Sequence, residues 1–428
     1  MQVELRDPNI IMKLSRLGSF HQSKLSFLRS FLDEFKEWDF KRDLFDLDKG
    51  GYGTAIYSFK KDKRIYSLIC FANKINNEER SDRVIAKKWD AAFEKTEILR
   101  SYLREFYDDP DGLYCREEST HFLFVSLMSA WDLIQKPKII TTEGEFYSLY
   151  RQLARLSETG LDVVKIPAEI SDDFIENIRK NLDDKTSAVM ISRVYFQSSL
   201  INPHLSEIAK LCRKHGVALV IDDYHGTNVV PLSIRDEGLE NAFILIGGYK
   251  YLQWGEANCF LRFPKDCTLR PVITGWFASF GSLQKKQDFS KPVEFDPGDQ
   301  RFASGTYDPS SQYRAAKVVE FFKRQSLSSK VLRAGYQEQI GLLKSLFLEQ
   351  DIDPYAIRLT HNEDVSMNGG FLSLYSAHAV AIRKRLLEKE VFTDARDTIL
   401  RLGPAPYTTS QQIFDVIGLL SETVSEMQ

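Results

Sequence analysis

Between residues 138 and 247 short apolar runs alternate with amphipathic stretches, and this alternation restricts the possible folds more than any other feature. KIITT (138–142) precedes FYSLYRQLARLSE, DVVKIPA (162–168) precedes DDFIENIRKNL, and SAVMISRVY (187–195) precedes HLSEIAKLCRKHG. VALVID (217–222) leads through a loop to AFILI (242–246). Such apolar runs read as strands buried on both faces. Strands spaced by helices of roughly ten to fifteen residues predict right-handed βαβ units. The expected fold class is therefore α/β, a mostly parallel sheet with helices on both faces. Ligands of such sheets collect beyond the carboxyl ends of the strands.

The flanking regions differ. Residues 1–88 read as a small α+β unit. It opens with the amphipathic MKLSRLGSFHQSKLSFLRSFLDEF, whose polar face carries Lys13, Arg16, Lys24 and Arg29, and continues with two strands, GTAIYSF (53–59) and RIYSLICFA (64–72). After residue 309 the chain turns helical (SQYRAAKVVEFFKRQ, VLRAGYQEQIGLLKSLFLEQ). A smaller α+β portion follows, with FLSLYS, the helix AVAIRKRLLEKE, the strand TILRL and a last helix from about 409. The expected domains are 1–88, 89–308 and 309–428.

Composition narrows the function. The 57 basic and 60 acidic residues are interspersed and sum to a net charge of -3, which gives no basic groove for nucleic acid. No apolar stretch approaches the roughly 20 residues needed to span a bilayer. The N-terminus MQVELRDPN lacks the apolar core of a signal peptide. Five cysteines form no CxxC pair, which fits a reducing, cytoplasmic setting. His121 and His225 lack Cys or His partners at ligand spacing, so no metal is expected.

The polar residues just past the strands carry the chemistry. Asp222 and Asp223 close VALVI, with His225 three residues beyond Asp222. Lys250 follows AFILI in GGYK, and Glu145, Phe146 and Ser148 follow KIITT. Ser119, Thr120 and His121 open an apolar helical stretch, FLFVSLMSAW, where hydroxyls and free backbone N–H groups make an anion site. A lysine with a lowered pKa forms a Schiff base with an aldehyde. If the aldehyde is pyridoxal phosphate, its ring nitrogen needs a carboxylate, its phosphate a helix N-terminus, and its ring an aromatic face. Lys250 suits the aldehyde and Asp222 the nitrogen. Thr120 and Tyr249 suit the phosphate, and Phe146 or His121 the ring.

These residues lie in segments that resemble a known family. VIDDYHGTNVVPLSI, GGYKYLQWGEANCFLR, GWFASF (275–280), RFASGTYDP (301–309) and ILRLGPAPY (399–407) are similar to the class V aminotransferase group of fold-type I pyridoxal-phosphate enzymes, kynureninase and its relatives above all. STHFLFVSLMSA and TTEGEFYSLYRQ follow the same pattern, so the likeness runs from about Trp89 to the C-terminus. It implies that Lys250 holds the cofactor, Asp222 pairs with the ring nitrogen and His225 lies beside it. Tyr249 would touch the phosphate and take part in proton transfer. Ser119 and Thr120 would cradle the phosphate, and Phe146 would stack on the ring. Trp276 would line the phosphate and substrate side. Gly305 and Thr306 would reach the phosphate of a neighbouring subunit, implying a homodimer with shared sites. Arg401 would clamp the substrate carboxylate through its two-pronged guanidinium, with Arg396 as its rival.

The implied activity is Cβ–Cγ cleavage of an α-amino acid. The alternatives are amino transfer, or a non-catalytic scaffold with residues 1–88 as an interaction module. Two departures stand out. The N-terminal 88 residues match nothing in the family pattern. Glu117 and Glu118 place negative charge just before the phosphate cradle, which opposes phosphate unless the side chains turn away.

Overall fold

The computed structural model describes residues 41–44, 52–61, 64–73, 82–171, 173–282 and 290–427, with side chains from residue 89 onward. The amphipathic stretch bearing Lys13, Arg16, Lys24 and Arg29 lies outside them. The chain divides into two compact units, Met1–Phe93 and Glu94–Gln428.

In the first unit β1 (Lys41–Leu44), β2 (Tyr52–Lys61) and β3 (Arg64–Asn73) form an antiparallel sheet in that order. β2 and β3 contain the two expected strands. Helix α1 (Asp82–Phe106) runs unbroken through position 88, where sequence reading places a domain boundary. It holds neither Gly nor Pro. Leu99, Tyr102, Leu103 and Phe106 recur on one face and are buried, the spacing of an amphipathic helix.

The second unit is built on a seven-stranded sheet. It comprises β4 (Leu113–Glu117), β5 (Lys138–Thr142), β6 (Asp162–Ile166), β7 (Thr186–Ser192), β8 (Ala218–Asp222), β9 (Phe243–Gly247) and β10 (Cys259–Phe263), in the order β4-β10-β9-β8-β7-β5-β6. β5 to β9 pair in parallel, and β10 is antiparallel between β9 and β4. The mixed α/β sheet agrees with the expected fold. Sequence pattern does not reveal β4, LYCRE, because Arg116 and Glu117 interrupt it, yet both are buried.

The intervening helices are α2 (Thr120–Met128), α3 (Tyr147–Ser157), α4 (Phe174–Asn181) and α5 (Leu205–His215). α5 ends on Gly216 at φ 64°, a left-handed cap that only glycine adopts without strain, with Arg213, Lys214 and His215 facing the negative end of its dipole. Strand residues such as Val189, Ile191, Ile221, Ile244 and Ile246 belong to the main apolar core.

Helices α6 (Ser310–Arg324) and α7 (Ser329–Leu348) lead to a second core. There β11 (Arg358–Leu359), β12 (Leu372–Tyr375), β13 (Asp394–Arg396) and β14 (Ile399–Leu402) pair antiparallel in the order β11-β12-β14-β13. Ile340 and Leu343 of α7, Leu374, Leu400, and Ile382 of α8 (Ala379–Glu388) pack with Ile413 and Ile417 of α9 (Ser410–Ser425). α9 starts with a capping box between Thr409 and Gln412.

Three side chains of this C-terminal region grip three successive carbonyls beyond β7. Arg401 Nη1 donates to Phe196 O at 2.8 Å, Ser373 Oγ donates to Gln197 O, and His361 Nε2 meets Ser198 O at 2.9 Å. That seam brings β14 to the carboxyl edge of the large sheet.

Candidate active site

Parallel pairing aligns the ends of β7, β8 and β9, since Ser192 faces Asp222 and Asp222 faces Leu245. Their polar extensions therefore meet at one edge. Lys250 Nζ lies 2.5 Å from His225 Nε2 and 5.3, 5.1 and 5.9 Å from the ring centres of Phe146, Tyr224 and Tyr249. Burial and the Arg401 guanidinium draw the Lys250 amine down to about 7, while Asp222 and Asp394 oppose them. Burial, then Lys250 and Arg401, hold His225 well below the usual imidazole range, so it is neutral near pH 7.

Asp222 is buried, and burial pushes its carboxyl up to about 6 against the Tyr224 N–H and the Lys250 charge. Its Oδ1 accepts from Tyr224 N at 2.9 Å. Among the described residues no donor reaches the other oxygen. Its neighbour Asp223 has another task. It pairs in bidentate fashion with buried Arg193 at 2.5 and 3.0 Å and accepts from Tyr107 Oη at 2.6 Å. Such a pair is tolerated in a core because its hydrogen bonds are satisfied.

Glu145, just past β5, accepts from Ser192 Oγ at 2.7 Å, Ser192 N at 3.1 Å and Thr142 Oγ1 at 2.6 Å. Burial raises it to about 7, and the Asp222 charge adds to the rise. Phe146 caps α3 and meets the His225 ring edge-on at 6.4 Å. His121, its rival for the ring, is exposed on α2.

The helix-start expectation for Ser119 and Thr120 corresponds to α2. Ser119 is its N-cap, its Oγ accepting from Phe122 N at 3.2 Å. Cys259 ties this helix start to the lysine turn, because its register partners are Glu117 at the end of β4 and Gly247 at the end of β9. Both acids before the cradle have partners in the 304–308 segment. Buried Glu117 accepts from Ser304 N at 2.6 Å and Ser304 Oγ at 2.8 Å, and Glu118 accepts from Asp308 N at 3.4 Å.

Glu117 thereby fixes the segment that carries Gly305 and Thr306. A Cβ on Gly305 would lie 3.4 Å from Trp276 Nε1, so Trp276 and Gly305 sit together. Trp276 is 40% exposed and Thr306 is exposed. Among the described residues no hydrogen bond or ring contact joins them to the Lys250 cluster. Arg401 pairs with Asp394 and lies over the Phe371 ring at 5.4 Å. Arg396 also pairs with Asp394, at 3.4 Å.

Sequence reasoning misses Tyr224, Asp394 and the division of labour between Asp222 and Asp223. A DxR pattern one turn before TILRL is the only local signal for Asp394. Among the described residues no group of three or more His, Cys, Asp or Glu side chains could hold a metal, and no helix is long and apolar enough to cross a membrane. Cys115, Cys212 and Cys259 are buried free thiols.

The donor set fits pyridoxal phosphate. It offers a largely buried amine that is half neutral at pH 7, a buried carboxylate with an open oxygen, an aromatic face and a capped helix start at the same sheet edge.

Residues 337–420 match the model of the kynureninase C-terminal domain family. The uncharacterized aminotransferase YcbU of Bacillus subtilis is 20% identical over 76% of this chain and 83% of its own. The kynureninase of Xanthomonas campestris is 25% identical over 47% of this chain and 48% of its own. Among solved structures, a lysine-to-alanine mutant of C-DES with glycine covalently linked to its PLP cofactor superposes with a TM-score of 0.66. It covers 81% of this chain and 89% of that one at 17% identity.

Proposed function

We propose that this chain, a kynureninase-like member of the class V aminotransferase group, uses pyridoxal phosphate to cleave the Cβ–Cγ bond of an α-amino acid bearing a γ-carbonyl. The observation that carries the reading is Lys250, a lysine held near neutrality beside Asp222, His225 and Phe146 and within the field of Arg401.

When bound, the cofactor supplies an aldehyde for the substrate amine and an electron-withdrawing ring. The chain supplies the rest. Asp222 offers a carboxylate to the ring nitrogen, Phe146 a face, and Ser119, Thr120 and Tyr249 contacts to the phosphate. Trp276, beside Gly305 and apart from the Lys250 cluster, would line the phosphate and substrate side of a second copy's site. Neutral His225 holds the Lys250 amine in place by a hydrogen bond. Arg401 orients the substrate carboxylate. Lys250 Nζ, whose lowered pKa provides a free-amine fraction at neutral pH, takes the proton from the substrate Cα. Burial raises the Tyr249 hydroxyl above its ordinary range, so it keeps its proton and can donate it to Cβ. Water adds at the γ-carbonyl, the Cβ–Cγ bond breaks, Cγ departs as a carboxylate, Cβ gains the Tyr249 proton, Lys250 returns its proton to Cα to give alanine, and a proton of the added water restores the Tyr249 hydroxyl.

Residues 89–308 would form the cofactor-binding part and 309–428 the smaller part carrying Arg401. Gly305 and Thr306, apart from the Lys250 cluster, would serve the phosphate of a second copy in a homodimer. The wider match to an aminotransferase favours a second reading, amino transfer. Cys-based desulfuration lacks support, because burial raises the Cys259 and Cys267 thiols.

The test incubates holoprotein with a panel of α-amino acids, kynurenine included. Alanine release without an added keto acid is expected. Amino transfer would instead need a keto acid and return a new amino acid. A protein that stays colourless with added pyridoxal phosphate would refute both.

A further inference from the structure

Asp394 lies opposite Arg401 in the β13–β14 register, and Arg396 stands two residues on, on the same face of β13. Its carboxylate is shared, with Oδ2 on Arg401 Nη2 and Oδ1 3.4 Å from Arg396 Nη1. The other terminal nitrogen of Arg401 donates to Phe196 O at 2.8 Å. Both ends of the guanidinium are thus engaged by the protein. Arg401 lies 5.4 Å over the Phe371 ring, Phe371 meets the His225 ring at 6.0 Å, and His225 touches the Lys250 amine, so this cluster adjoins the reacting amine.

A carboxylate arriving at Arg401 meets a carboxylate already there. Two anions on one guanidinium repel, and the incoming one gains only the difference between its own pairing and the pairing it displaces. The displaced group is not stranded, because Arg396 is already beside it and half exposed. We propose that Asp394 is a specificity-determining residue, an internal stand-in for the substrate carboxylate. It holds Arg401 toward the site, yields it to the substrate and passes to Arg396. This sets a threshold that weak or poorly placed carboxylates do not cross. It also makes Arg396 the acceptor of the displaced acid rather than a second clamp. The proposal rests on the assignment of Arg401 to the substrate carboxylate.

Calorimetric titration of the holoprotein with 4-phenylbutanoate, and with neutral 4-phenylbutanamide as control, tests it. Neither probe carries an amine, so neither reacts with the cofactor. Asp394→Asn should bind the carboxylate roughly tenfold more tightly than the unaltered protein and leave the amide unchanged. Asp394→Ser should do the same if the asparagine variant folds poorly. Arg396→Gln should weaken the carboxylate severalfold, since the displaced acid loses its second partner, and no change would refute the hand-over. If Arg401→Gln abolishes carboxylate binding while Asp394→Asn leaves it equal or weaker, Asp394 is only a strut and the inference is overturned. If Arg401→Gln leaves carboxylate binding intact, the Arg401 assignment itself fails.

Discussion

Burial draws the Lys250 ammonium down to about 7, so near neutral pH about half the molecules carry a free amine able to attack an aldehyde. The rate at which apoprotein takes up pyridoxal phosphate should therefore climb between about pH 6 and pH 8 and then level off, when followed by absorbance. A rate still climbing toward pH 10 would describe an ordinary exposed lysine. Asp222 gives the opposite signature in stability. Its folded-state value of about 6 lies above the unfolded carboxylate's. Its contribution is therefore present below about pH 4 and lost as pH rises through 6. In apoprotein, Asp222→Asn should raise unfolding stability at pH 8 by up to about 3 kcal/mol, since two pKa units correspond to about that much. The gain should vanish near pH 4, and urea unfolding at the two pH values measures it. In holoprotein the gain should disappear if, as proposed, Asp222 meets the ring nitrogen of the cofactor. Lys250 and Asp222 are legible in the sequence because each closes or follows an apolar strand. The split between Asp222 and Asp223 is not, because two adjacent acids read alike until the pleat sends them to different surroundings.

Where β8 and β9 end, the packing of one ring fixes the loops that hold the site. A Cβ on Gly247 would fall 1.8 Å from the Tyr224 ring, far inside contact distance. Tyr224 lies two residues past Asp222 and stands 5.3 Å from the Tyr249 ring. Closing the glycine gap would push Tyr224 against Tyr249 and the Lys250 amine. Gly247→Ala should cost about 3 kcal/mol in urea unfolding and weaken cofactor retention. In a Tyr224→Ala background the same substitution should cost less than about 1 kcal/mol, a non-additivity that a double-mutant cycle reads directly. Equal costs in both backgrounds would mean that the ring is not the obstacle. The expected strand KIITT coincides with β5 residue for residue, because buried strands of a parallel sheet are continuous apolar runs. β4 escapes that logic. Its buried Glu117 is met by the distant Ser304, and its buried Arg116 donates to the Ala257 carbonyl and lies 3.9 Å from the Tyr307 ring centre. No window around 113–117 contains that compensation.

The two apolar cores of the second unit are joined at the carbonyls of Phe196, Gln197 and Ser198, beside the backbone bonds of Ile201 N to Met367 O and Gly369 N to Ser199 O. The partners that hold the three carbonyls are 205, 176 and 163 residues away in sequence. Contacts so remote have no periodicity or local motif, which is why the seam is invisible to sequence reading while both cores on either side of it are not. Its position matters because Arg401 is one of the three grips, so whatever loosens the other two frees the strand that aims the guanidinium. Each lost hydrogen bond to a buried carbonyl costs about 1 kcal/mol. A variant combining Ser373→Ala with His361→Ala should therefore lose roughly 2 kcal/mol. The loss should be unequal across the chain. Amides of β12, β14 and α9 should exchange with deuterium faster, while those of β7, β8 and β9, closed within the main core, keep their protection. Substrate KM should rise with Arg401 misaimed, and the absorbance of bound cofactor should stay unchanged, because no residue assigned to the cofactor is altered. Uniform loss of protection across both sheets would mean that the two cores unfold as one body and that the seam does not govern how Arg401 is presented.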